Sequence, residues 1–128
     1  MIVFDASVLI AYLDGDDGLH HEAEALLTAA VDDDFGVNAL TLAEVLVAPA
    51  RAGRLDEARS ALQEIEVREL PFPPNTAVRL AELRVITGLK MPDCCVLLAA
   101  EDNTAHVAAF DDRLIRAAEA RGLTVVRP

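Results

Sequence analysis

Four carboxylates carry the chemistry this sequence offers: Asp5, Glu44, Asp93 and Asp111, none with a basic residue beside it in sequence. Asp5 closes the apolar run Ile2-Val3-Phe4, and Asp111 closes the run His106–Phe110. Glu44 lies one helical turn beyond a third such end, and Asp93 follows Pro92 at the start of a helix leading toward the Asp111 strand. An acid ending a central strand is costly to bury unpaired, and the first Lys or Arg of the chain is Arg51. Several carboxylates within a few ångströms repel one another unless cations intervene. Hard oxygen donors of this kind suit Mg²⁺ or Mn²⁺ and not zinc. A divalent cation so held acidifies water and neutralises charge building on phosphoryl oxygens, which is the chemistry of phosphodiester hydrolysis. No Ser/His or Cys/His pairing offers a nucleophilic alternative, since His20 and His21 open an acidic helix and His106 opens a strand.

Each acid also has a structural reading. Thr41-Leu42-Ala43-Glu44 is a capping box as it stands. Asp93 follows a proline in a first helical turn, where negative charge suits the macrodipole. Asp111 is placed to cap the last helix. Asp5 is the hardest to explain this way.

The elements that must position these acids follow from periodicity and punctuation. Strands are expected at Ile2–Phe4, Phe35–Asn38, Val67–Leu70, His106–Phe110 and Leu123–Val126. Helices are expected over Ser7–Leu13, His20–Val31, from Thr41 toward Pro49, Leu55–Ile65, Asn75–Thr87 stopped by Gly88, and Asp112–Ala120. A further helix begins at Pro92 and carries Asp93, Leu97 and Ala100 on one stripe. Five short strands alternating with helices imply an α/β fold: a mostly parallel five-stranded sheet covered by helices on both faces, in three layers. In such sheets the ligand crevice lies outside the carboxyl ends of the strands. The four acids therefore converge if the strands before Asp5 and Asp111 are neighbours.

With 128 residues, of which 53% are hydrophobic, the chain is expected to form one domain over residues 1–128 with a sizeable core. The apolar run Val8–Leu13 is too short to span a bilayer and no basic segment precedes it, so the cytoplasm is the default location and no membrane partner is expected. Cys94 and Cys95 are adjacent in a helix and point about 100° apart, which suits buried thiols and not a disulfide or a zinc pair. The net charge is −11, and residues 1–50 hold ten acids with no Lys or Arg. That balance argues against loose nucleic-acid binding through a basic surface. It leaves open a nuclease using a metal and a few arginines, drawn from Arg51, Arg54, Arg79, Arg84 and Arg113, or a basic partner protein.

Four segments taken in order resemble the PIN-domain ribonucleases, most closely the VapC toxins of bacterial toxin–antitoxin pairs. They are Ile2-Val-Phe-Asp5-Ala-Ser7-Val-Leu-Ile, Thr41-Leu-Ala-Glu44-Val-Leu, Leu89-Lys90-Met91-Pro92-Asp93 and Phe110-Asp111-Asp112-Arg113-Leu114. The resemblance spans essentially the whole chain. It implies a PIN-like fold and a Mg²⁺-dependent endoribonuclease, with Asp5, Glu44, Asp93 and Asp111 as catalytic and metal-binding acids and Ser7 supporting them. It also implies a homodimer silenced by a cognate VapB-like antitoxin, whose C-terminal segment covers the cleft and sets a basic side chain among the acids. One departure stands out: many relatives have Thr two residues before the last acid, where this chain has Ala109. Asp112, next to Asp111, is a lesser candidate for the same role. Response-regulator receivers and aspartate-nucleophile phosphatases fit poorly, because Asp5 is single and Ser7 stands where the phosphatases need a second Asp. The remaining alternative is a PIN-like module that has lost catalysis and acts only as a complex subunit.

Overall fold

The computed structural model describes residues 1–127. Its centre is strand β1 (Ile2–Phe4), three residues all buried. Side chains alternate across a strand. Ile2 and Phe4 accordingly join a core with Phe35, Leu9 and Leu26, while Val3 joins a second core with Val107, Leu97 and Leu114. A strand buried on both faces needs helices on both, which gives the three layers expected from the sequence.

β1 lies between β2 (Phe35–Asn38) and β4 (His106–Ala108), and β3 (Val67–Leu70) flanks β2, so the order is β3-β2-β1-β4 with every pairing parallel. The register aligns Phe4 with Ala108, which brings the carboxyl ends of β1 and β4 side by side.

The sheet therefore has four strands, not five. Leu123–Val126 makes only an isolated parallel bridge, Val107 to Val125, through Val107 N–H to the Thr124 carbonyl and Val126 N–H to the Val107 carbonyl. The ladder does not extend back from there because Ala105 N–H, the amide in register for the next rung, donates to the Ala100 carbonyl and closes the helix before it. β4 is shortened from the expected His106–Phe110 for a related reason, since Phe110 N–H donates to a side chain, Ser7 Oγ.

The helices are α1 (Ala6–Leu13), α2 (His20–Ala29), α3 (Ala39–Arg51), α4 (Leu55–Glu64), α5 (Thr76–Thr87), α6 (Met91–Asp102) and α7 (Asp112–Ala120). Gly88, at φ 68°, ends α5 as its position suggested. Asp93, Leu97 and Ala100 share one stripe of α6 by their spacing, and the burial goes further: every residue from Cys94 to Ala100 is buried, so the helix is enclosed all round. Both cysteines are free and buried within it. Among the described residues no helix is long and apolar enough to cross a membrane.

Candidate functional site

Because β1 and β4 are neighbours, Asp5 and Asp111 leave the sheet from adjacent carboxyl ends. Asp5 is bound at both ends of its residue. Its N–H donates to the Ala108 carbonyl at 2.9 Å, and its Oδ2 accepts from Ser7 Oγ at 2.6 Å and Ser7 N–H at 3.4 Å, capping α1. Burial pushes the Asp5 carboxyl above its usual range. The Ser7 hydroxyl, then the Ser7 and Ala6 amides, pull it back, and the charge of Asp111 raises it further. Among the described residues no Lys or Arg pairs with it.

The capping-box reading of Thr41 and Glu44 is overturned. Asn38 caps α3: its Oδ1 accepts from Thr41 N–H at 2.9 Å, and its Nδ2 donates to Thr41 Oγ1 at 2.9 Å. The helix thus begins two residues earlier than Thr41, and the amide Glu44 was to reach is already taken. Glu44 is left exposed, with no hydrogen bond to the described residues. Burial of its inner part raises its carboxyl, and the charges of Asp5 and then Asp93 raise it more.

Asp93 sits half-buried in the first turn of α6. Burial, then Asp5 and Asp111, push it up, against a smaller opposing pull from Lys90 and Arg113. It too makes no side-chain hydrogen bond among the described residues. Asp111 does cap its helix as the structural reading held, its Oδ1 accepting from Arg113 N–H at 2.9 Å and Leu114 N–H at 3.4 Å. The charge felt at Asp5 and Asp93 is that of Asp111, with no contribution from the exposed Asp112 beside it.

Asp5, Glu44 and Asp93 are thus brought to one edge of the sheet with Asp111, each of the three feeling the charge of a neighbouring acid. They gather without closing: among the described residues no three acidic, His or Cys side chains stand close enough to grip a single ion. Glu44 and Asp111 lie on the surface. The donor set nevertheless fits a hard divalent cation. It is all oxygen, it has one desolvated and oriented carboxylate in Asp5, and it has two more, Glu44 and Asp93, that no other hydrogen bond engages.

Ser7 does more than face the site. Its hydroxyl donates to Asp5 and accepts from Phe110 N–H at 3.1 Å, pinning the residue before Asp111 to the start of α1. Of the five arginines considered from the sequence, only Arg113 acts on the acids. Arg54 pairs with Glu57 and Arg79 with Asp102. Arg84 is spent on the carbonyls of Gly88 and Leu89 at the end of α5, and Arg51 has no ion-pair partner among the described residues. Lys90 is the neighbour that sequence reasoning passed over. Its spacing three residues before Asp93 was the available signal.

A family model described as the PIN domain matches residues 2–120. No curated protein matches the chain by sequence. Among solved structures, the chain is similar to VapC20 of Mycobacterium tuberculosis, described as a Sarcin-Ricin loop cleaving toxin, with 18% identity over 100% of both chains and a TM-score of 0.79. It is similar to a toxin–antitoxin complex from Klebsiella pneumoniae, with 23% identity over 87% of each chain and a TM-score of 0.73. It is also similar to FitAcB from Neisseria gonorrhoeae, with 21% identity over 100% of this chain and 98% of that one, and a TM-score of 0.74. At these identities the likeness is one of fold.

Proposed function

The chain belongs to the PIN-domain family, and from that premise we propose that it is a metal-dependent endoribonuclease, the toxin of a VapBC-type toxin–antitoxin pair. The observation that carries this reading is the set of Asp5, Glu44 and Asp93, each raised by burial and by the charge of a neighbouring acid, beside Asp111. Repulsion within such a set is relieved by a bound divalent cation. Mg²⁺, or Mn²⁺ in its place, would supply an acidified water and would neutralise charge on the phosphoryl oxygens. The chain's own residues do the rest. Asp5, oriented by Ser7, is the fixed ligand. Asp93 and Glu44 complete the negative field, and Asp111 adds to it from the start of α7.

An antitoxin partner is supported by two features. The chain carries a net charge of −11, which suits a basic segment. A groove of about 430 Å³ also opens on the Glu44 side, lined by Ile10, Leu13, Val45, Ala48 and Ala61, which suits an apolar one. A homodimer is supported by the exposed apolar residues Val78 and Val85 along α5. We place the protein in the cytoplasm, as a single domain.

The test is incubation of the purified, antitoxin-free chain with total bacterial RNA and Mg²⁺ or Mn²⁺, followed by sequencing of new RNA ends. Discrete cuts are expected, absent with EDTA and absent in Asp93→Asn. Antitoxin binding with no cut in any RNA pool would reassign the chain as a binding module.

A further inference from the structure

Between the end of α5 and α7, the helix that Asp111 caps, the molecule opens a groove of about 630 Å³, lined by Ile86, Thr87, Leu89, Arg113, Arg116 and Arg121. In a chain of net charge −11 this is an unusual concentration of cations. Arg113 lies in the first turn of α7, and its charge reaches Asp93. Arg116 follows three residues on, so the two side chains rise from the same helix face roughly 5–6 Å apart at Cβ. Both are exposed, and neither has a carboxylate partner among the described residues. Arg121, farther along the helix, is held by Glu101. The opposite flank of the acids, on the Glu44 side, is mostly apolar and its one arginine, Arg54, is paired with Glu57. The two flanks therefore differ in what they can hold.

We infer that the α5–α7 groove is a phosphate track, in which Arg113 and Arg116 bind successive backbone phosphates of the single-stranded RNA whose scissile phosphate lies at Asp5 and Asp93. This rests on the ribonuclease reading above and gives it a direction: the strand leaves the acids over α7, not over α3 and α4. The groove is lined by no aromatic ring, so it offers no platform for stacking bases. It grips the backbone and adds affinity without base preference.

Two measurements test the track. In the first, Arg116→Glu and Arg113→Ala are assayed for cleavage across a salt series, with Arg59→Glu as the control on α4, a helix that packs against α3 and β3. Arg116→Glu is expected to raise KM about tenfold, more than it lowers kcat, and to flatten the log–log salt slope by about 0.7, the share of one phosphate that is no longer neutralised. The positions of the cuts stay the same, and Arg59→Glu behaves as wild type. In the second, a fluorescein-labelled single-stranded RNA of mixed sequence is titrated with Mg²⁺ present into Glu44→Gln and into Glu44→Gln/Arg116→Glu, a background that keeps Asp93 beside Arg113. Binding about tenfold weaker in the double variant is expected. Equal binding, or no binding by either, overturns the track. A wild-type chain that cuts no RNA while the binding difference persists would remove the ribonuclease reading and leave the track standing.

Discussion

Asp5→Asn is expected to lower RNA cleavage by about a thousandfold, roughly 4 kcal/mol of transition-state stabilisation, while making the metal-free chain more stable. The two halves have one cause. An asparagine keeps the shape of the Asp5 side chain and an oxygen able to accept from Ser7, so the cap of α1 survives. What it removes is the charge. In the fold the Asp5 carboxyl is raised by burial, so the folded chain binds this proton more tightly than the unfolded chain does. Its contribution to stability is fully present below the ordinary carboxylate pKa and is lost as pH rises through the raised folded value. Glu44 and Asp93 are shifted in the same direction. In EDTA the wild-type chain should therefore gain stability as pH falls from about 7 toward 5. Asp5→Asn should start higher at neutral pH and gain less, both directly and because Glu44 and Asp93 lose a like-charged neighbour. Adding Mg²⁺ reverses the ranking, raising the melting temperature of the wild type more than that of the variant. Thermal unfolding at pH 7 and 5, with EDTA or Mg²⁺, reads all of this. A variant less stable than wild type in EDTA would show that the Asp5 charge is compensated by a group other than a metal.

The parallel α/β architecture and the strand before Asp5 were legible in the sequence because both rest on strong local patterns, whereas the order of the strands was left open. Three apolar residues followed by Asp5 end a strand where expected, while the run before Asp111 leaves the sheet at Ala108. Parallel neighbours then follow from alternating strands and helices. Features that depend on which amide meets which acceptor were not legible. Thr41 and Glu44 have the spacing of a capping box, yet Asn38 lies three residues upstream of Thr41 and takes the same amide. Ending the strand there and starting the helix at once left Glu44 with no capping duty and free for the site. The last strand failed for a similar reason. Leu123–Val126 is apolar enough to pair, but Ala105 had already given its amide to the end of α6. The arginines were weighed by sequence spacing alone, which does not show their contacts. Arg79 pairs with Asp102 across 23 residues, and Arg84 reaches the carbonyls at the end of its own helix.

Ser7 spans the longest gap of this kind. Its hydroxyl donates to Asp5 and accepts from Phe110 N–H, 103 residues further on than Ser7, and no sequence signal pairs Asp5 with Phe110. Ser7→Ala should lower cleavage by about tenfold to a hundredfold, the usual effect of losing a group that orients a metal-binding carboxylate. It should also destabilise the fold by about 1–3 kcal/mol, since Phe110 N–H loses its acceptor. These two losses alone would not separate orientation of Asp5 from simple support of the β4–α7 connection. The pH profile does. The Ser7 hydroxyl is the strongest influence holding the Asp5 carboxyl down, so its removal lets that carboxyl rise further. The acidic limb of kcat/KM, which reports ionisation in the free enzyme, should move to higher pH in Ser7→Ala. Ser7→Thr, which keeps the hydroxyl, should restore the limb to its wild-type place even if packing of the added methyl lowers the melting temperature. If Ser7→Ala lost stability but kept the wild-type limb, Ser7 would be a tie between two strand ends, and the orientation of Asp5 would have to come from the backbone alone.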